Sequence, residues 1–185
     1  MENIKARDYQ VEACKQIHLG KRNLIVLPMR AGKSFLCKYI IDQYQFKKVL
    51  IITGFRKIVI QFEQYFPDSH THILAGKDYD HQARVTLASF QTYHRRKIDI
   101  SQFDCIIVDE YHSRLSKNVE TFLSQATGTI ILLTGTPLQA NNRFITKGID
   151  NVINTINVTQ MMKRGYLAPT RFMANKSVIG DEVNN

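Results

Sequence analysis

Short apolar runs rich in Val, Ile and Leu recur along the chain, separated by polar stretches with helical spacing. Asn23–Leu27, Lys48–Thr53, Arg84–Ser89, Asp104–Val108 and Thr129–Thr134 read as strands, and His72–Leu74 as a further short one. The first two and the last two are almost continuously apolar, the pattern of strands buried on both faces of a parallel sheet. Between them, Ser34–Gln45, Lys57–Tyr65 and Lys117–Gln125 read as helices. This alternation predicts an α/β domain, a mostly parallel sheet with helices on both faces. In such folds ligands gather outside the carboxyl ends of the strands, which directs attention to the segments that follow each strand.

The rest of the pattern is less regular. Residues 138–156 are polar and read as loop with short helix. Asn157–Gly165 reads as a last helix, stopped by Gly165 and followed by Pro169. Residues 177–185 show no core-forming pattern. One domain is therefore expected over 1–170, with 171–185 as a linker or tail. Three separated cysteines, Cys14, Cys37 and Cys105, form neither a disulfide framework nor a CxxC metal pattern, as expected in a reducing cytosol. The polar start, MENIKARDYQ, is unlike a signal peptide, and no apolar run approaches the roughly 20 residues of a membrane span. A cytoplasmic protein without a membrane partner is the expectation.

Charge changes the picture through its placement. The formal net charge is +9, and residues 1–60 hold twelve Lys and Arg against four Asp and Glu. A basic first third attracts phosphate, from nucleotide or nucleic acid, or serves as solvated surface.

Two strand ends carry candidate chemistry. Asn23–Leu27 runs into Pro28-Met29-Arg30-Ala31-Gly32-Lys33-Ser34, and a helical pattern follows at once. Gly32 lets backbone approach a phosphate, and the new helix offers N–H groups to an anion. Lys33 can reach the outer phosphates, and the Ser34 hydroxyl can ligate Mg²⁺. The strict GxxxxGKS/T pattern is broken, because Leu27 stands where its first Gly would be. A surface turn bearing a lone lysine is the competing reading. The second strand, Asp104–Val108, ends in Asp109-Glu110-Tyr111-His112. Carboxylates at the tip of a buried strand need a partner. Asp109 can hold Mg²⁺ and Glu110 can activate water. Alternatively the two acids merely end a strand at the surface.

Asp109–His112 resembles the DExH form of motif II in superfamily 2 helicases, and Pro28–Ser34 resembles their motif I. Arg7-Asp8-Tyr9-Gln10 is similar to the RxYQ element upstream, which implies that Gln10, with Arg7, reads adenine. Leu133-Thr134-Gly135-Thr136-Pro137 resembles motif III in its TGTP form. Gly54-Phe55-Arg56 with Gln61 resembles motif Ia, and Ser89-Phe90-Gln91 resembles motif Ib. MMKRGYLAP is similar to the segment that leads into the second motor domain. The resemblance covers about residues 5–170 and implies a RecA-like P-loop domain that uses ATP and Mg²⁺.

It further implies catalytic roles for Lys33, Asp109, Glu110 and His112, with His112 coupling ATP to motif III through Thr134 or Thr136. Pro28, Met29, Arg30, Ala31, Gly32, Lys33 and Ser34 would cradle nucleotide. Arg56, Gln61, Ser89 and Gln91 would face nucleic acid. Gly54 and Phe55 depart from the usual Pro-Thr of motif Ia, and Arg30 stands where many members have Gly. The TGTP form and the MRAGKS loop lean toward DNA over RNA, in the phage-type or Snf2-like branch.

Nothing after Thr134–Pro137 resembles motifs IV to VI of a second RecA-like domain. An arginine finger from that domain is worth roughly 10³–10⁵ in rate in related phosphoryl-transfer enzymes. The chain is therefore expected to be the amino-terminal half of a longer helicase, with little turnover alone. A stand-alone nucleotide- or nucleic-acid-binding protein and an unrelated P-loop kinase are the competing readings. Other residues divide between roles. His70 and His72 read as surface histidines and Arg95-Arg96-Lys97 as a solvated loop. Phe55, Phe90 and Tyr93 read as base-stacking or core residues.

Overall fold

A computed structural model describes residues 5–67, 70–73, 83–96, 98–111, 123–136 and 148–169. Its strands are β1 (Arg22–Val26), β2 (Val49–Thr53), β3 (His70–Ile73), β4 (Val85–Ser89), β5 (Cys105–Val108), β6 (Thr129–Thr134) and β7 (Asn151–Ile153). Its helices are α1 (Asp8–Lys15), α2 (Lys33–Tyr44), α3 (Arg56–Glu63), α4 (Phe90–Arg96) and α5 (Val158–Lys163). The seven strands form one sheet in the order β3-β4-β2-β5-β6-β1-β7, and every described pairing is parallel.

The continuously apolar runs produce two cores because successive side chains point to opposite faces. On one face Ile25, Ile51, Leu87, Ile107, Ile131 and Leu133 pack with Ala13, Leu36, Ile40, Val59, Phe62 and Met161, drawn from α1, α2, α3 and α5. On the other, Leu24, Leu50, Ile52, Ile106 and Leu132 pack with Phe90, Ile100, Phe103 and Leu123. Each fully buried Ile or Leu side chain contributes about 1.5–3 kcal/mol relative to exposure. Both faces of the sheet are therefore covered, as the pattern predicts.

A polar hub fixes the amino-terminal end of the sheet. Asn23 is fully buried. Its Oδ1 accepts from the His18 N–H at 2.9 Å and from Asn151 Nδ2 at 3.0 Å, and its Nδ2 donates to the carbonyls of His18, Lys21 and Ile130. One side chain thus joins the α1–β1 turn to β6 and to the edge strand β7.

Several elements differ from the sequence expectation. Residues 138–156 read as loop, yet Asn151–Ile153 pair with β1 as β7. Only Ile153 of that strand is buried, with Val152 52% exposed, so a three-residue edge strand leaves no apolar run to detect. Arg95 and Arg96 lie in the last turn of α4 instead of a solvated loop. Helix α1 grows from the RDYQ element, with Gln10 Oε1 accepting from the Arg7 N–H and the Gln10 N–H donating to the Arg7 carbonyl, both at 3.0 Å. The last helix is where expected. Asn157 caps it, its Oδ1 accepting from the Gln160 N–H at 2.9 Å, and Gly165 follows at φ 71° in the left-handed region. Of the expected helix Lys117–Gln125, residues 123–125 are described and helical. Leu74 and the tail 171–185 lie outside the described residues. No described helix is long and apolar enough to cross a membrane.

Candidate active site

The parallel register aligns the carboxyl ends of five strands. Ser89 pairs with Thr53, Ile52 with Val108, Val108 with Leu132, and Thr134 with Val26. The segments that follow therefore lie along one edge in the order Ser89–Gln91, Gly54–Arg56, Asp109–Glu110, Gly135–Thr136 and Pro28–Ser34. This order is unrelated to their order in the chain.

Pro28–Ser34 departs from the sheet after the Leu27 N–H donates to the Thr134 carbonyl at 3.0 Å. Arg30 (φ 63°) and Gly32 (φ 72°) are both left-handed, with fully buried Ala31 between them. These two residues turn the chain back so that Lys33 begins α2. Gly32 occupies the N-cap position and brings no capping side chain, so the first N–H groups of this twelve-residue helix and its positive dipole end face the loop. A Cβ at Gly32 would stand 2.9 Å from Gln10 Nε2. Pro28 and Ser34 are half-buried, and Met29 and Arg30 are exposed.

Three segments meet at Lys33. Its Nζ lies 2.5 Å from Glu110 Oε1, with side-chain exposures of 12% and 31%. Gly135 sits beside it, for a Cβ there would stand 3.6 Å from Lys33 Nζ and 3.6 Å from the Leu27 carbonyl oxygen. Glu110 reaches the lysine from a left-handed turn at φ 52°, directly after the buried Asp109. The Asp109 N–H extends the β5 ladder to the Ile52 carbonyl at 2.9 Å. Burial pushes the Cys37 thiol well above its ordinary range, and the charge of Asp109 pushes it further, while Lys33 opposes. Cys37 lies one turn beyond Lys33 in α2, so both charges bear on the start of that helix. Thr134 is fully buried. Its Oγ1 donates to the Thr136 carbonyl at 2.8 Å and accepts from the Thr136 N–H at 3.1 Å, which fixes the turn through Gly135.

The upstream element braces the loop from below. Gln10 is buried, and its Nε2 donates to the carbonyls of Ala31 (3.1 Å) and Gly32 (3.2 Å), while its Oε1 accepts from the Arg7 N–H at 3.0 Å. Tyr9, for which the RxYQ pattern implies no role, donates its hydroxyl to the Ala31 carbonyl at 2.8 Å and accepts from Arg7 Nη1 at 3.0 Å. Only the tyrosine inside the RDYQ element could have signalled this.

Farther along the edge, Gln91 is exposed, and Phe55 is 65% exposed beside the first residue of α3, Arg56, while Gln61 is exposed in the second turn of that helix. Ser89 is buried. Its hydroxyl accepts from the Thr92 N–H at 3.1 Å and shares a 3.0 Å hydrogen bond with Thr92 Oγ1, so it caps α4. Phe90 is buried in the second core with Tyr93 packed against it, which assigns both to packing. His70 and His72 lie on the edge strand β3. His112, Pro137 and Lys97 lie outside the described residues. Among the described residues no group of three or more His, Cys, Asp or Glu side chains gathers to hold a metal.

Residues 3–139 match the family described as "Type III restriction enzyme, res subunit". The "ATP-dependent DNA helicase uvsW" of Enterobacteria phage T4 is 29% identical over 139 residues, which cover 66% of this chain and 28% of that protein. The crystal structure of the UvsW helicase from bacteriophage T4 superimposes with a TM-score of 0.69 at 21% identity, covering 82% of this chain and 60% of that one. The Hef helicase domain of Pyrococcus furiosus gives a TM-score of 0.69 at 22% identity, covering 90% and 42%. At these identities the solved structures establish the fold, that of a RecA-like helicase domain. The chain spans a little over a quarter of the length of the phage relative.

Proposed function

Since the chain belongs to the family described as "Type III restriction enzyme, res subunit", and is an amino-terminal RecA-like domain of superfamily 2 helicase type, we propose that Pro28–Ser34 bind ATP and that the domain powers a DNA helicase or translocase when joined to a second RecA-like domain. The observation that carries this reading is the meeting of Lys33, Glu110 and Gly135 at the start of a helix whose N-cap, Gly32, has no side chain.

The residues fit the ligands. A left-handed glycine and the amino end of α2 make a cradle for phosphate oxygens. Ser34 and Asp109 offer the hard oxygen donors that Mg²⁺ takes, and would hold it; when bound, the ion neutralises charge on the outer phosphates. Lys33 exchanges its Glu110 partner for a phosphate oxygen. Glu110, released from that ion pair, accepts a hydrogen bond from the attacking water and orients it. Gln10 and Arg7 face the adenine. Gln10 Nε2 donates to two loop carbonyls, so reading the base requires part of that bracing to shift.

Thr134–Thr136 lie against the phosphate loop and carry the change onward, with His112 as their partner. Arg56, Ser89 and Gln91 follow the strand ends along that edge and, with Gln61 in the second turn of α3, form the nucleic-acid side, with the Ser89 hydroxyl acting through its cap on α4. DNA is favoured over RNA because the phage relative is named a DNA helicase. The arginines that stabilise transferring phosphate come from the second RecA-like domain, so residues 1–185 alone hydrolyse ATP near background. A cytoplasmic location accords with these partners.

Titration of fluorescent ADP against the wild-type chain and Lys33→Ala tests the nucleotide site. A large loss of affinity in the variant is expected, and equal affinities would refute it. Binding to a 20-nucleotide DNA should weaken steeply as salt rises, because each neutralised phosphate releases counterion. A salt-independent affinity would remove the nucleic-acid role.

A further inference from the structure

The segment after α5 is packed against the element that braces the phosphate loop, and no role has been assigned to it. Met161 anchors α5 in the core. The left-handed Gly165 then turns the chain so that the Tyr166 N–H donates back to the Met161 carbonyl at 2.9 Å. This fixes the direction in which Tyr166 leaves the helix. Its ring lies under the Arg7 guanidinium, 4.8 Å from centroid to Cζ, and meets Tyr9 edge-on at 5.5 Å and 65°. Its hydroxyl donates to Asp8 Oδ1 at 3.2 Å, and Arg164 Nη1 donates to Asp8 Oδ2 at 2.6 Å. A further tie comes from Thr155, whose Oγ1 donates to the Tyr9 carbonyl at 2.9 Å.

From there the contacts run without a break to the nucleotide site. Arg7 Nη1 reaches the Tyr9 hydroxyl, Tyr9 reaches the Ala31 carbonyl, and Gln10 reaches Ala31 and Gly32. We propose that Tyr166, supported by Arg164, is a positioning residue for nucleotide binding. It holds Arg7 and Tyr9, and through them the loop backbone at Ala31 and Gly32, without touching nucleotide itself. The proposal rests on the reading of Pro28–Ser34 as the nucleotide site.

Two independent contacts make the ring, not the hydroxyl, the effective part of Tyr166. A cation over an aromatic face and an edge-to-face aromatic pair each add attraction beyond the area they bury. The hydroxyl bond to Asp8 is exposed and competes with water, so its net contribution is small. Tyr166→Phe should accordingly keep the function and Tyr166→Ala should lose it.

The test is a titration of fluorescent ADP and fluorescent GDP against the 185-residue chain and its Lys33→Ala, Tyr166→Ala and Tyr166→Phe variants, each also followed through urea unfolding. Tyr166→Ala is expected to bind ADP about tenfold more weakly. Its ratio of ADP to GDP affinity should fall toward one, because Arg7 and Gln10 lose their fixed placement. Tyr166→Phe should restore both the affinity and the ratio. A uniform loss of stability lowers the unfolding midpoint but leaves the base ratio of the folded fraction unchanged, so the ratio separates positioning from folding. If Lys33→Ala binds as tightly as wild type, the nucleotide site itself is misplaced. If Lys33→Ala loses affinity while Tyr166→Ala keeps wild-type affinity and base ratio, the positioning role is overturned and the site stands. A Tyr166→Phe chain as impaired as Tyr166→Ala would also overturn it, since the ring contacts would then not be the cause.

Discussion

Replacing Gly32 by Ala perturbs the phosphate loop in two ways that the structure lets one separate. The backbone there is left-handed, at φ 72°, where an L side chain costs about 1–2 kcal/mol. The added Cβ would also stand 2.9 Å from Gln10 Nε2, too close for a carbon and an amide nitrogen. That nitrogen belongs to a flexible side chain, but it is not free to retreat. It is buried and donates to the Ala31 and Gly32 carbonyls, and each such hydrogen bond is worth about 0.5–1.5 kcal/mol net. Displacing the amide therefore adds about 1–3 kcal/mol, for a total loss of roughly 2–5 kcal/mol.

Urea denaturation followed by circular dichroism measures the total from the shift in midpoint at constant slope. The same measurement on Gln10→Ala and on the double variant isolates the second part. In the Gln10→Ala background the overlap is gone, so Gly32→Ala should cost only the conformational part, about 1–2 kcal/mol. Nucleotide affinity should fall with Gly32→Ala in either background, because on the proposed reading the strained backbone is the one that would face phosphate. A Gly32→Ala chain within about 0.5 kcal/mol of wild type, the scatter of surface substitutions, would refute the loop geometry. A double-variant cycle showing no coupling would instead refute the role given to the Gln10 amide.

Further outcomes follow from the same coordinates. Arg30 is exposed in the left-handed region, so Arg30→Gly should raise the unfolding free energy by up to about 1 kcal/mol, and a loss of stability would contradict that conformation. Asn23→Ala removes five hydrogen bonds made by one fully buried side chain, and should cost about 3 kcal/mol or more in urea unfolding. Burial raises all three cysteine thiols, Cys14 to about 11. Their reactive thiolates are therefore scarce at pH 8, and iodoacetamide should label the native chain slowly and the urea-unfolded chain fast. Rapid native labelling of Cys37 or Cys105 would contradict their burial.

The parts of this architecture legible in the sequence are those whose determinants are local. A strand buried on both faces needs only a continuous apolar run, so β1, β2, β5 and β6 stand out, and a phosphate loop needs only a glycine and a lysine between such a strand and a helix. The elements that were missed depend on residues far away in the chain. β7 exists because the β1 edge is available to Asn151–Ile153, and two of its three side chains are not buried. α1 and α4 are short, and each begins at an element with a second identity, RDYQ or the segment after β4, so their polar caps read as chemistry before they read as helix. Ser89 illustrates the difficulty, because nothing local in a serine that ends a strand signals that its hydroxyl caps the helix that follows.

The phosphate loop itself is defined less by its own sequence than by what surrounds it. Leu27 is tied to Thr134, Gly135 stands against Lys33, and Tyr9 and Gln10 hold the carbonyls of Ala31 and Gly32. Two segments distant in sequence thus fix the loop, and a backbone fixed in advance reduces the ordering that binding would otherwise have to supply. This explains how the loop tolerates Leu27 in place of its usual first glycine and a left-handed Arg30. The surrounding contacts, and not the full glycine pattern, hold the backbone in place. The Lys33–Glu110 ion pair joins the group that would meet phosphate to the group that would meet water. On the proposed reading, nucleotide binding and the release of Glu110 would be a single event, with the carboxylate freed to orient water only when phosphate takes its place on the lysine.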